Sequence, residues 1–195
     1  MNLKKKNVLD TFNLIAKDYV NYFGNDWEFL ADINNFIDQI GENASVLDLG
    51  SGGGYITNYL SKKNINAIGI DFSSRMVQIA KETFPQNNFY EMDISEVSHY
   101  FKEDTFDGLI SIYSLYFIPK KEMDNVLASF SRILKENGKF LIVTQCGNGE
   151  QFLDEDLMPE GKKKEALFVN LYTKEELKQL MEKHNFKVEE MFNVP

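Results

Sequence analysis

A glycine-rich segment is the part of the chain whose residue types are best suited to hold a ligand. Residues 46–54 read Val-Leu-Asp-Leu-Gly-Ser-Gly-Gly-Gly, so Asp48 precedes glycines at every second position, Gly50, Gly52 and Gly54. Glycine is needed where the backbone takes a positive φ or must approach a ligand closely, because a Cβ atom would clash there. A helix that follows would add free backbone N–H groups. The segment predicts either a ligand-binding strand-to-helix turn or a purely structural tight turn.

Two further acidic residues favour the ligand-binding interpretation. Asp71 ends the apolar run 67–71 and lies about 20 residues beyond Gly50, the position from which a carboxylate accepts both hydroxyl groups of a bound ribose. Asp93 follows the next apolar run, where a carboxylate can accept a hydrogen bond from the exocyclic amine of adenine. Ligands of open α/β sheets bind outside the carboxyl ends of the strands. The three acids therefore predict a nucleoside site at that edge.

Two other nucleotide-binding motifs do not fit this loop. The dinucleotide fingerprint Gly-x-Gly-x-x-Gly would need a glycine at Tyr55 if it is read from Gly50, and at Thr57 if it is read from Gly52. A phosphate-binding P-loop requires Gly-Lys-Ser/Thr, which the segment lacks. Neither a nicotinamide enzyme nor a P-loop phosphate site is predicted.

Apolar runs alternate with amphipathic stretches through most of the chain, and this pattern predicts the frame that holds the loop. Five runs are interpreted as strands: 45–50, 66–71, 88–93, 106–113 and 139–144. Helical spacing predicts helices over 8–19, 30–40, 55–63, 73–84 and 120–135, the last closed by Gly138. Apolar strands joined by helices are typical of a parallel sheet covered on both faces. The predicted fold class is a doubly wound, mainly parallel α/β sheet.

The last third of the chain is less regular. Residues 147–166 are polar and are interpreted as a mobile loop or lid without a clear element. Thr173 and Glu176 form a capping box that predicts the start of a helix. Residues 187–192 are predicted to form a sixth strand.

Composition excludes several classes of partner. The 195 residues carry a formal net charge of −9, which repels phosphate backbones, and the basic runs Lys4–Lys6 and Lys162–Lys164 are interpreted as solvated. The sequence has no apolar stretch near the roughly 18–20 residues that cross a bilayer. Cys146 is the single cysteine and is interpreted as a small core residue. We expect a cytoplasmic protein with neither nucleic acid nor membrane as a partner.

The glycine loop, Asp71, Asp93 and the run 134–142 together resemble the class I S-adenosylmethionine-dependent methyltransferases, over roughly residues 8–192. The resemblance is strongest to the small-molecule members. It implies a Rossmann-like methyltransferase fold whose usual seventh, antiparallel strand has no counterpart here. An unpaired sheet edge favours self-association, so a monomer or weak homodimer is expected.

The resemblance also divides the single domain into functional parts. Its segments would be an N-terminal helical cap (1–41), a cofactor-binding core (42–146), a lid or substrate loop (147–172), and a last helix and strand (173–195). The cofactor would be S-adenosylmethionine, with S-adenosylhomocysteine as its product. No metal and no catalytic residue is predicted, since in-line methyl transfer relies on orientation, which is worth about 7–11 kcal/mol.

Individual residues follow from the same resemblance. The glycine loop would hold the methionine moiety, Asp71 the ribose, and Asp93 with Ile94 the adenine. The implied cofactor-binding set is Tyr19, Asp48, Gly50, Gly52, Gly54, Asp71, Phe72, Met76, Asp93, Ile94 and Ser111. The residues predicted to line an acceptor pocket are Tyr113, Ser114, Tyr116, Phe168 and Tyr172.

The expected activity is therefore transfer of a methyl group to a small-molecule acceptor, and two alternatives stay open. One is a non-catalytic S-adenosylmethionine-binding or regulatory protein of the same fold. The other is a protein-interaction domain without a cofactor. Because intact glycines and carboxylates serve binding with or without catalysis, the motifs do not separate the enzyme from the regulatory protein.

Overall fold

A parallel sheet of five strands lies at the centre of the computed structural model, which describes residues 1–24, 28–153 and 166–192. The strand order is β3-β2-β1-β4-β5. The strands are β1 (Ser45–Leu49), β2 (Asn66–Asp71), β3 (Asn88–Glu91), β4 (Phe106–Ile112) and β5 (Leu134–Val143). Parallel neighbours require long crossover connections, which the helices between them provide. The predicted doubly wound α/β fold is confirmed.

Helices cover both faces of this sheet. They are α1 (Leu3–Phe23), α2 (Leu30–Ile40), α3 (Tyr55–Lys62), α4 (Ser74–Thr83), α5 (Val97–Tyr100), α6 (Lys120–Ile133) and α7 (Lys174–Lys183). Successive side chains of a strand point to opposite faces. Leu47 and Leu49 accordingly lie in the core that contains α6, while Val46 lies in the core that contains α2. Both faces of β1 are therefore apolar and buried.

The strand order reverses direction at β1, which pairs with β2 on one side and with β4 on the other. Such a reversal leaves a crevice between the connections that leave the carboxyl ends of the two central strands. The glycine loop follows β1 directly, so the fold places it at this crevice. Asp71, the last residue of β2, lies beside it.

The boundary between α6 and β5 differs from the prediction. The helix ends at Ile133, and Gly138, which was expected to close it, lies inside β5. Pairing with β4 shifts register between the Phe106–Leu134 pair and the Gly108–Lys139 pair. Asn137 takes a positive φ of 63° within this irregularity. The apolar helical spacing had already ended at Leu134, and the polar residues beyond it belong to the bulged strand.

Residues 147–166 were predicted to lack regular structure, and this was wrong for residues 149–153. Strands β6 (Gly149–Leu153) and β7 (Leu167–Leu171) form an antiparallel pair. All five residues of β7 are buried, because this strand packs beneath α1. Residues 154–165, including the run Lys162–Lys164, lie outside the described residues.

The predicted sixth strand was also wrong. Among the described residues, 187–192 form no strand. Val188 packs against the α6 side of the sheet, and Lys139 Nζ lies 2.9 Å from a Glu189 carboxylate oxygen. Side-chain contacts, rather than a ladder of backbone hydrogen bonds, hold this segment beside β5.

The surroundings of the single cysteine and the length and polarity of the helices bear on two expectations from composition. Cys146 is exposed, so its interpretation as a core residue was wrong; it follows β5 and makes an isolated parallel bridge with Tyr172. Within the part of the chain that the structure describes, every helix is too short or too polar to serve as a membrane span.

Candidate functional site

Three of the four loop glycines, Gly50, Gly52 and Gly54, have a positive φ, and their surroundings differ. The φ values are 79° at Gly50, 50° at Gly52 and 82° at Gly54. A Cβ on Gly50 would lie 2.4 Å from the Ser114 Cβ, and one on Gly54 would lie 2.5 Å from the Phe89 ring. Among the described residues, no atom of another part of the chain lies within 4 Å of a Cβ placed on Gly52. Gly50 and Gly54 therefore permit tight packing, whereas Gly52 leaves open space beside the loop.

Asp71 faces this open space from the end of β2 and is buried. Its Oδ2 accepts a hydrogen bond from the Gly52 N–H, and its Oδ1 accepts one from the Ser73 N–H, each at 2.9 Å. Burial raises the pKa of Asp71 to about 6, and the two N–H donors only partly oppose that rise. The carboxylate thus orders the loop and keeps part of its acceptor capacity.

Asp48 lies deeper, inside β1, and does not line the cavity at the loop. Its Oδ2 accepts a hydrogen bond of 2.6 Å from the Thr57 hydroxyl on α3. Burial raises the pKa of Asp48 to about 7; the Thr57 bond lowers it, and the nearby charge of Asp71 raises it further. Asp48 therefore ties the strand before the loop to the helix after it.

Asp93 follows β3, at the end of the site away from the glycine loop. It caps a 3₁₀ turn at residues 94–96. Its carboxylate accepts hydrogen bonds from the Ser95 N–H at 2.9 Å and from Lys5 Nζ at 3.0 and 2.8 Å. Burial alone would raise the Asp93 pKa, but these bonds outweigh it and hold the pKa below its usual value. Lys5 is only 7% exposed, so its interpretation as part of a solvated run was wrong.

A narrow cavity of about 90 Å³ connects these groups beneath α1. It is lined by Lys5, Phe12, Tyr19, Gly50, Gly52, Asp71, Phe72, Met76, Asp93, Ile94, Ile112, Tyr113, Ser114, Phe117 and Ile118. Eight of the predicted cofactor-binding residues are among them, together with Tyr113 and Ser114 of the predicted acceptor set. The space is smaller than the roughly 300–1,000 Å³ of typical small-molecule sites, because α1 lies directly over it.

Three residues of the predicted cofactor set do not line the cavity. Asp48 and Gly54 support the loop from behind, and Ser111 is buried in β4. The Ser111 hydroxyl lies 2.6 Å from the Ser114 hydroxyl, which in turn donates a hydrogen bond to the Leu49 carbonyl. This chain of hydroxyl groups joins the ends of β4 and β1 next to the cavity.

Three residues of the predicted acceptor set also lie away from the cavity. Tyr116 is buried against the Phe117 ring, with the ring centres 4.3 Å apart. Phe168 is fully buried in β7 and packs on Phe152. Tyr172 accepts a hydrogen bond of 2.8 Å from the Asn170 side chain. These three side chains do not line the cavity; they pack around the residues that do.

Sequence reasoning missed five of the lining residues, namely Lys5, Phe12, Ile112, Phe117 and Ile118. A signal for two of them was present. Lys5, Phe12 and Tyr19 are spaced by seven residues, which places them on one face of a helix. Because Tyr19 was already a candidate, the same face could have identified the other two.

Aromatic rings form the wall next to Gly50. The Phe12 ring packs on Tyr19 at 5.5 Å and on Phe117 at 5.1 Å between centres. Tyr113 adopts a left-handed φ of 52°, a strained backbone state that often occurs at functional sites. Burial and the Asp71 charge raise the pKa of Tyr19 to about 12, so its hydroxyl stays neutral near pH 7. The wall is therefore apolar, with uncharged hydroxyl groups.

A larger groove of about 580 Å³ opens at the opposite, amino end of the strands. Its lining includes side-chain amides such as Asn64, Asn66 and Asn88 over an apolar floor, and no charged side chain. We assign function to the smaller cavity because parallel sheets bind ligands at their carboxyl ends, where the buried acids and positive-φ glycines also lie.

Residues 23–191 match the profile of a family described as a methyltransferase domain. The chain belongs to this methyltransferase family. The match covers most of the chain, and it confirms the resemblance that the glycine loop and the acidic strand ends indicated.

One curated relative is 235L of Invertebrate iridescent virus 6, a protein named as a methyltransferase. It is 37% identical over 125 residues, covering 60% of this chain and 44% of the relative. The chain spans about half the length of the curated relatives it matches.

Solved structures of methyltransferases share the fold. An S-adenosylmethionine-dependent methyltransferase from Methanosarcina mazei superposes with a TM-score of 0.69 at 20% identity, covering 82% of this chain and 85% of that one. The 1,6-didemethyltoxoflavin N1-methyltransferase of Burkholderia thailandensis has a TM-score of 0.69 at 18% identity, covering 92% and 76%. That structure contains bound 1,6-didemethyltoxoflavin and S-adenosylhomocysteine.

Proposed function

We propose that this methyltransferase-family chain binds S-adenosylmethionine in the cavity beneath α1 and catalyses transfer of its methyl group to a small-molecule acceptor. The observation that carries the proposal is the state of the Asp71 carboxylate. Among the described residues, each of its oxygens accepts one backbone hydrogen bond. A carboxylate oxygen can accept two, so one position on each oxygen is left for the two hydroxyl groups of a ribose.

The other lining residues suit the remaining parts of the cofactor. Gly52 has free space where a side chain would stand, which allows the backbone to approach the methionine moiety closely. Phe72, Met76 and Ile94 supply apolar surface between Asp71 and Asp93 for a planar base. When bound, S-adenosylmethionine would supply a methyl group already activated on a sulfonium sulfur. The residues present therefore fit this cofactor.

The aromatic wall supports a small acceptor. Helix α1 lies over the cavity and leaves little room for a macromolecular chain. Lys5 is the one cation among the described lining residues, and its ammonium group is bound by Asp93 and Glu122. A neutral or cationic acceptor therefore fits better than a carboxylate or a phosphate, and aromatic faces attract cations.

The chain's contribution to the reaction would be to hold the two reactants in line. Phe12, Tyr19 and Tyr113 can fix the orientation of an acceptor beside the glycine loop, and orientation alone is worth about 7–11 kcal/mol. The Tyr19 hydroxyl, with a pKa near 12, would donate or accept a hydrogen bond rather than remove a proton.

The test is transfer of a labelled methyl group to a panel of amines, phenols and nitrogen heterocycles. We expect turnover with at least one acceptor, and its loss in the Asp71→Asn variant, because the amide cannot accept both ribose hydroxyls while keeping the two N–H bonds. Binding of S-adenosylhomocysteine without turnover on any acceptor would favour the regulatory alternative. Absence of binding would favour an interaction domain.

A further inference from the structure

Helix α1 forms the roof of the cavity, and side chains from its first three turns tie it to the rest of the chain. The Asn7 side chain donates to the Ala166 carbonyl and accepts from the Phe168 N–H, at 3.0 and 2.9 Å. Asn13 accepts a hydrogen bond of 2.7 Å from the Ser73 hydroxyl, two residues after Asp71. With Phe12 below it, α1 closes the cavity from above.

The strongest of these ties is an ionic cluster at the adenine end. Lys5 Nζ lies 2.8 Å from a carboxylate oxygen of Asp93 and 2.9 Å from one of Glu122, and it also donates to the Ser95 hydroxyl at 2.9 Å. Glu122 stands in the first turn of α6 and does not line the cavity. One buried ammonium group thus joins the roof to the floor and to a neighbouring helix.

The size of the cavity implies that this cluster must open. The space of about 90 Å³ is several-fold below that of typical small-molecule sites. An adenosyl group enters the cavity only if α1 moves outward during entry, which withdraws Lys5 from its partners until the helix returns. Removing one partner from a buried charge cluster leaves the others unpaired, so the open state is disfavoured.

We propose that Lys5 is a positioning residue that latches α1 over the bound cofactor and aims the Asp93 carboxylate at the adenine amine. This inference rests on the proposed function. The latch and the ligand are compatible, because Asp93 Oδ2 accepts only from Lys5 within the described residues and keeps one acceptor position. The chain therefore closes on its ligand through the same carboxylate that recognises the base.

Glu122 separates the two roles of Lys5. Glu122→Gln weakens the latch but leaves Asp93 and the cavity wall unchanged. Lys5→Met removes the latch and also the hydrogen bonds that aim Asp93. Lys6→Met is a matched control, because Lys6 is exposed and pairs with Asp10 on the outer side of α1.

The experiment measures association and dissociation of S-adenosylhomocysteine on the immobilised full chain, together with hydrogen exchange of α1 amides without ligand. We expect Lys5→Met and Glu122→Gln each to raise the dissociation rate at least tenfold and to speed exchange in α1. Lys6→Met should match the unaltered chain. If the Glu122→Gln variant has the same dissociation rate and the same α1 amide exchange as the unaltered chain, the latch proposal is overturned.

Two contingencies keep the test decisive. If Lys5→Met does not fold, as judged by circular dichroism, Glu122→Gln alone decides. If the unaltered chain binds no S-adenosylhomocysteine, the proposed function fails, and hydrogen exchange still decides the latch. Faster exchange in α1 of Glu122→Gln, but not of Lys6→Met, would support it, and equal exchange would overturn it.

Discussion

The floor and the roof of the cavity are built in different ways. The floor consists of the ends of β1 and β2, where Asp71 receives the Gly52 N–H and Asp48 receives the Thr57 hydroxyl, all within a short stretch of chain. The roof, α1, is held by side chains that reach residues far away in sequence, such as Lys5 to Asp93. Under the proposed function, the floor would recognise the ligand, and α1, held by a few separate side-chain contacts, would control access to it.

The largest expected effect is on the floor. Asp71→Ala removes the ribose acceptor and leaves the Gly52 and Ser73 N–H groups without their partner. Because hydrogen bonds to charged groups contribute about 1.5–3 kcal/mol each and two are lost, calorimetry should show affinity for S-adenosylhomocysteine falling by at least about 100-fold. Glu91→Ala is the control, since Glu91 is exposed and pairs with Asp71 in register on β3. Equal losses in the two variants would remove Asp71 from the site.

A pair of glycine substitutions tests how tightly the floor is packed. Gly50→Ala places a methyl group 2.4 Å from Ser114, at a φ of 79°. Gly149→Ala has a similar φ of 72° but free space around the new methyl group among the described residues. Thermal unfolding should show a loss of about 1–2 kcal/mol for Gly149→Ala from backbone strain, and about 1–3 kcal/mol more for Gly50→Ala from overpacking. Equal losses of stability in the two variants would mean that the loop can shift to accommodate the methyl group at Gly50.

The two ends of the site should respond differently to pH. The pKa of Asp71 is raised to about 6, so below that pH the carboxyl group binds a proton that the ligand must displace. Affinity for S-adenosylhomocysteine should therefore fall by up to about tenfold per pH unit below 6. The pKa of Asp93 is lowered, so the adenine end should add no dependence in this range. Calorimetry with Asp71→Asn should give a flat profile near pH 6; a slope that persists would place the titrating group elsewhere.

Stability should change with pH in the opposite sense. The folded pKa values of Asp48 and Asp71, about 7 and about 6, lie above the ordinary value of 3.8. Between these limits the folded chain holds more protons than the unfolded chain. The contribution of these two groups to the free energy of unfolding is therefore present at low pH and is lost as the pH rises through 6 and 7. Urea unfolding of the ligand-free chain at a series of pH values measures this contribution. The Asp48→Asn variant should show a smaller change in the free energy of unfolding between pH 5 and pH 8.

The smallest expected effect is on a single tie of the roof. Asn13→Ala removes the acceptor of the Ser73 hydroxyl but leaves the Lys5 cluster and Asn7 in place. One neutral hydrogen bond contributes about 0.5–1.5 kcal/mol, so the dissociation rate of S-adenosylhomocysteine should rise only about two- to tenfold. A loss as large as that of Asp71→Ala would show that the roof takes part in recognition itself.

The same contrast explains what could be predicted from sequence. Gly50, Gly52 and Asp71 form a local pattern whose spacing follows from one strand-turn-helix unit and the next strand. Lys5 has its partner 88 residues away, and a run of three lysines carries no sign of it. The helical repeat that links Lys5 to Tyr19 indicates a shared face, but only the fold shows what that face covers.

The region beyond β5 was predicted less well for a related reason. Strand β6 is polar and largely exposed, and it is a strand because it pairs with the fully buried β7. The segment 187–192 was predicted as a strand, yet its described residues have no ladder partner. In both places the pairing partner, rather than local propensity, decides the structure.

The central claim is that the ends of β1, β2 and β3 seat an adenosyl group beneath α1. Titration of the full chain with S-adenosylhomocysteine in a calorimeter at neutral pH tests it most directly. We predict saturable heat with one ligand per chain, abolished or greatly weakened by Asp71→Ala and preserved in Glu91→Ala. Absence of heat at every temperature tried, with the chain folded, would contradict the account.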